Sequence, residues 1–241
     1  MTNALTKIEL IGMGTVKVEL YSKTPLGHSL QRGIAKEKTM NQQLYKKIYT
    51  IRELYVALQK GLRTFKYMAQ ARKNKVMSSE FIERIMLAVT EVNGCAVCSY
   101  AHTKIALEQG MSGEEIGKLL SGDTEGIPAE EAPAIFFAQH YADTRGNPSR
   151  DSWQRMVKTY GVEKANGILG SIQVIMIGNI YGIAMSAFQS RLKGKPIGKS
   201  SLSYEAGMLM SVFVLFPFTL IGSLVSSLAK KPLLYFGDAE I

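Results

Sequence analysis

Between residues 41 and 73 the apolar side chains stand at Leu44, Ile48, Ile51, Tyr55, Leu58, Leu62, Phe65 and Met68, with basic residues between them. Steps of three and four predict one amphipathic helix. Ser78 or Ser79 stands just ahead of Phe81, Ile82, Ile85, Met86 and Val89, which predicts a second, N-capped helix. Asn93-Gly94 ends it with the residues best able to adopt positive φ. A third helix is predicted from Cys95 to Gly110, and a fourth after Ser112, with Glu115 three residues on completing a capping box. Pro128 and Pro133 punctuate a loop, and Gly146-Asn147-Pro148 is a turn before the helix that holds Trp153. Only Ile8 to Tyr21 looks strand-like, and Gly12 and Gly14 interrupt it; Gly12-Met13-Gly14 does not extend to a dinucleotide fingerprint. The pattern predicts an all-α fold without internal repeats.

Two stretches lack charge for longer than a surface helix does. Ala165 to Ser190 contains Asn166, Gln173, Asn179 and Gln189, and its glycines recur as Gly178-x-x-x-Gly182. This reads as a helix packed closely within a bundle or against another subunit. Ala206 to Ala229 has no charge or side-chain amide and one proline, Pro217, and is long enough to cross a bilayer. Arg191, Lys193, Lys195 and Lys199 precede it and Lys230 and Lys231 follow. If it spans, the positive-inside rule places the body in the cytoplasm. The competing readings are two short buried helices broken at Phe216-Pro217, or an in-plane membrane helix. The chain then divides into an N-terminal segment (1–40), a helical domain (41–196) and an apolar C-terminal extension (197–241).

The formal charge of +9 is uneven. Residues 23–75 carry thirteen Lys or Arg against Glu37 and Glu53, a net of +11, while residues 76–190 carry eight against thirteen acids, a net of −5. Residues such as Lys46, Lys47, Arg52, Lys60, Arg63, Lys66, Arg72, Lys73 and Lys75 form either a solvated basic face or a surface for an anionic partner. No nucleic-acid motif accompanies them, so no nucleic-acid partner is expected.

The chain's two cysteines stand together in Cys95-Ala-Val-Cys98-Ser-Tyr-Ala-His102. A chain of 241 residues can bury a full core without a staple, and a loop this short removes little unfolded-state entropy. Redox or metal chemistry explains the pair better. The first residues lack the basic and apolar regions of a signal peptide, which predicts a reducing cytoplasm where a disulfide is transient and catalytic. Near the start of a helix both sulfurs feel the positive end of its dipole, which favours the thiolate. His102, one turn beyond Cys98, can take up or relay a proton, since imidazole titrates near neutral pH.

A relay histidine needs an acid to orient it. If the chain folds back at Asn93-Gly94, Glu83 lies ten residues before the pivot and His102 nine after it, which pairs the two; Glu91, beside Cys95, is the second choice. The competing pairing places Glu83 with Arg84 or Lys104 on the surface.

Glu83, Gly94-Cys95-x-x-Cys98-x-x-x-His102 and Gly110-Met-Ser112-x-Glu114-Glu115-Ile116 together resemble the carboxymuconolactone decarboxylase family, in its alkylhydroperoxidase D-like (AhpD-like) branch, over about Tyr45 to Pro196. The resemblance implies an all-helical bundle, a homo-oligomer and a thiol peroxidase of peroxiredoxin type without a cofactor. It implies that Cys98 attacks the hydroperoxide, Cys95 resolves the sulfenic acid, and His102 with Glu83 moves the proton. A lipoyl-type or thioredoxin-like dithiol would re-reduce the pair. Val97 departs from that branch, which places a second histidine there, so the relay is simpler. Decarboxylase members lack the cysteine pair.

Four other readings stand beside this one: a dithiol–disulfide oxidoreductase without peroxidase activity, a lactone decarboxylase-like lyase, a non-enzymatic membrane-surface protein, and a zinc site. Zinc on Cys95, Cys98 and His102 needs a fourth ligand, His28 or His140, from afar. Haem attachment in its usual form is excluded because Ser99, not histidine, follows Cys98.

Overall fold

A computed structural model describes residues 46–236 and, as backbone, two strands nearer the N-terminus. The strands, β1 (Thr6–Leu10) and β2 (Val16–Leu20), pair antiparallel with Ile8 opposite Val18. Gly12, Gly14, His28 and Leu44 lie outside the described residues. The regular elements of residues 46–236 are all helices: α1 (Ile51–Lys73), α2 (Ser79–Asn93), α3 (Ala96–Glu108), α4 (Gly113–Ser121), α5 (Ala132–Asp143), α6 (Arg150–Leu192) and α7 (Leu202–Leu228). The all-α expectation holds for this body.

The helix expected over 41–73 begins later, at Ile51, because Thr50 caps it. Thr50 Oγ1 accepts from the Glu53 N–H, and Glu53 accepts from the Thr50 N–H at 2.7 Å, a full capping box. The box expected at Ser112 is only half made. Ser112 Oγ accepts from the Glu115 N–H, but the Glu115 carboxylate takes the Arg84 Nε–H at 2.6 Å instead. An ion pair to another helix has displaced the local contact.

The uncharged stretch of α6 forms the centre of the core. After a break at Gly161 (φ 72°), Ile168, Leu169, Ile172, Ile180 and Ile183 are buried against α1, α2, α3 and α5. Truncating one of these to alanine costs about 2–5 kcal/mol. Among the described residues two helices are long and apolar enough to cross a membrane, but α6 is mostly buried inside the protein whereas α7 is mostly exposed.

Pro217 does not divide α7, which runs unbroken from Leu202 to Leu228. Proline removes one helix hydrogen bond, and the neighbouring Thr219 hydroxyl donates to the Leu215 and Phe216 carbonyls. The reading of two short helices is therefore replaced by one helix, packed on α1 and α6.

Part of the basic segment holds the fold together. The Lys60 ammonium donates to the Gly146 carbonyl at 2.6 Å, Lys47 to the Ala142 carbonyl at 2.8 Å, and Lys46 pairs with Glu91. Arg52, Lys66, Arg72, Lys73 and Lys75 remain exposed.

Candidate functional site

The site is built at the turn between α2 and α3. Ser78 caps α2 by accepting from the Phe81 N–H, and Gly94, left-handed at φ 72°, ends it. That conformation suits glycine because it has no Cβ, and it turns α3 back against α2. Asn93, fully buried beside the turn, accepts from the Tyr49 hydroxyl at 2.6 Å. The fold-back brings His102 Nδ1 to 2.8 Å from Glu83 Oε2.

The competing partners of Glu83 are engaged elsewhere. Arg84 reaches Glu115 and, at 2.9 Å, Glu131, while Lys104 stands 4.0 Å from Glu108. Glu91, the second choice beside Cys95, pairs with Lys46.

Cys95 is the N-cap of α3 rather than a member of its first turn, and its sulfur accepts from the Cys98 N–H at 3.3 Å. The two cysteines form a disulfide with Cα atoms 5.3 Å apart. Cys95 is fully buried and Cys98 retains 6% exposure. Cys98 and His102 lie one turn apart on α3, so they share a face. The Cys98 sulfur also lies 3.4 Å from the Gly178 carbonyl, an acceptor for the thiol once the disulfide is reduced.

Of the two glycines read from sequence as a close contact within a bundle or against another subunit, Gly182 makes its contact within the chain. A Cβ at Gly182 would stand 2.5 Å from Cys95 Sγ and 2.6 Å from Cys98 Sγ. The glycine therefore provides the seat for the disulfide within the chain. The signal was present as a four-residue glycine repeat on an uncharged helix, but that spacing does not say which element it faces. Thr90 of α2 donates to Asn179 Oδ1 at 3.1 Å and ties this part of α6 to the Glu83 helix.

Glu83 also lines a cavity of about 510 Å³ between α1 and α2, walled by Phe65, Met68, Ala69, Ile82 and Met86, with Arg72 and Lys73 alongside. Apolar walls with a few polar groups are the usual make-up of a small-molecule site. Sequence patterning did not reveal it, since its walls come from two separate helices.

Among the described residues no group of histidine, cysteine and acidic side chains is placed to hold a metal ion. His28 lies outside the described residues, and His140 Nε2, at the end of α5, accepts from the Ser149 N–H at 3.4 Å.

No curated protein and no solved structure matches the chain. Residues 59–136, a segment holding Glu83, Cys95, Cys98 and His102 but not Gly178 or Gly182, match the model of the carboxymuconolactone decarboxylase family.

Proposed function

We propose that the chain is a thiol-dependent hydroperoxide reductase of the AhpD-like kind. The observation that carries this reading is the pairing of a Cys95–Cys98 disulfide with a Glu83–His102 hydrogen bond of 2.8 Å on one pair of antiparallel-folded helices. The cysteine pair also separates the chain from decarboxylase members of the family, which lack it.

The reaction balances as a two-electron exchange. The Cys98 thiolate attacks the distal oxygen of ROOH, the O–O bond breaks, and the alkoxide leaves as ROH after taking a proton relayed by His102. The sulfur is left as a sulfenic acid. The Cys95 thiol attacks that sulfur, water departs and the disulfide forms; a dithiol then reduces it by exchange and becomes the disulfide itself. Cys98 is assigned the attack by the resemblance; of the two residues it is the one that keeps some exposure, 6% against 0% for Cys95. Glu83 acts through His102 as a positioning residue, holding the imidazole by Nδ1.

The low exposure of both cysteines favours one alternative, dithiol–disulfide exchange with a protein or lipoyl-type partner and no peroxide chemistry. Turnover of an organic hydroperoxide with dihydrolipoamide as reductant tests the two. The peroxidase reading expects hydroperoxide-dependent dithiol oxidation that is lost in Cys98→Ser and in Cys95→Ser. Exchange with a disulfide substrate but no consumption of hydroperoxide would replace it by the oxidoreductase reading.

A further inference from the structure

Helix α7 is amphipathic in the reverse sense. Its buried positions are Glu205, Met208, Ser211, Thr219 and Ser223, and Gly222 meets the side chain of Gln59 on α1. The hydroxyls on this inner side donate to carbonyls of α7 itself, Ser211 to Met208 and Ser223 to Leu220. The outer side carries Met210, Phe213, Val214, Phe218, Ile221 and Leu224, each at least 58% exposed. Small residues inward and large apolar ones outward is the arrangement of a helix whose outer solvent is hydrocarbon, and a continuous apolar strip of this length marks an interaction surface.

A second feature sits at the end of the same helix. A cavity of about 290 Å³ is lined by Arg63, Lys66, Ser227, Lys230 and Lys231 among others. Arg63 is only 8% exposed; its two terminal nitrogens donate to the Lys231 and Pro232 carbonyls, and its Nε is buried without a hydrogen-bond partner. An orphaned guanidinium donor beside three lysines is a site for an oxyanion, which guanidinium groups bind preferentially in buried positions.

We infer that α7 lies in the plane of a bilayer surface, its outer side among the acyl chains, with the Arg63 cavity taking the phosphate of an anionic phospholipid. Twenty-seven residues span about 40 Å, which is long enough to cross, but the contacts with the body prevent an upright crossing. The helix is held from its first turn, where Glu205 meets Arg191, to beyond its last, where Arg63 binds the following carbonyls. Standing upright it would drag α1, with Arg52, Lys66, Arg72 and Lys73, into hydrocarbon. Lying flat, it places Lys193, Lys195 and Lys199 at one end and Lys230 and Lys231 at the other at the level of the headgroups. This surface is independent of the redox reading.

Flotation of the full chain with phosphatidylcholine vesicles, with and without phosphatidylglycerol, tests the inference. Binding is expected to favour the anionic vesicles, to fall about fivefold for each cation removed in Lys66→Gln and Lys230→Gln, and to be abolished in Phe213→Glu/Leu224→Glu. Circular dichroism confirms that each variant is folded. In a Trp153→Phe background, tryptophan at Phe213 and at Leu224 should be quenched by brominated lipid at the same shallow depth. Three results would overturn the inference: equal binding to neutral vesicles, quenching depths on opposite sides of the bilayer centre, or a soluble dimer that buries α7 and ignores vesicles. Stabilisation by inorganic phosphate without vesicle binding would assign the cavity to a free anion and overturn it as well.

Discussion

Gly182 on α6 makes room for Cys98 on α3: a methyl group at the glycine would stand 2.6 Å from the sulfur. Gly182→Ala gains about 1 kcal/mol of helix propensity but overpacks the site, which costs typically about 1–3 kcal/mol. The expected net result is a lower melting temperature for the oxidised protein, by about 2–4 °C for each net kcal/mol. Calorimetry of the oxidised variant measures it. A melting temperature unchanged or raised would show that the sulfurs do not rest on the glycine.

His102 and Glu83 are expected to act as one unit. His102→Gln should slow oxidation of the reduced protein by an organic hydroperoxide about a hundredfold, the low end for loss of a general acid or base. Glu83→Gln should slow it about tenfold, and the double variant no more than His102→Gln alone, because the acid works through the imidazole. Stopped-flow rates across a pH series supply the comparison; additive losses would place Glu83 in a separate role.

Glu205 fastens the start of α7. Its carboxylate, fully buried, accepts from Arg191 Nε at 2.7 Å, from Arg191 Nη2 at 2.9 Å and from the Ser200 hydroxyl at 2.7 Å. The Arg191 hydrogen bonds hold its pKa below the ordinary carboxylate value, against the opposing effect of burial. A carboxyl depressed in the folded state stabilises fully above its unfolded pKa of about 4.3 and loses that contribution as pH falls through the lower folded value. Denaturant unfolding of wild type and Glu205→Gln should therefore differ by a constant amount from pH 8 to about pH 5 and converge at more acid pH. A difference that grows on acidification would contradict the pairing.

Much of the fold was readable because it follows local rules. Ser78, Gly94 and Ser112 stand where the caps were expected, and the Glu83–His102 contact followed from counting outward from the Asn93-Gly94 pivot. What could not be read depends on which elements meet. Capping boxes compete with long-range ion pairs, so Glu115 left Ser112 for Arg84. A glycine repeat has no direction, so Gly182 gave no sign that it faces the cysteines. Hydropathy registers how apolar a helix is but not which side faces inward; the amides and glycines of 165–190 marked that stretch as packed, while nothing in 206–229 showed that its large apolar residues face outward.

The most direct measurement is the intact mass of the fully reduced, metal-free protein before and after one equivalent of an organic hydroperoxide, followed by peptide mapping. The expected result is the loss of two hydrogens, located to a bond between Cys95 and Cys98, and a trapped sulfenic acid at Cys98 when Cys95 is replaced by serine. A dithiol that survives the hydroperoxide unchanged would contradict the peroxidase assignment.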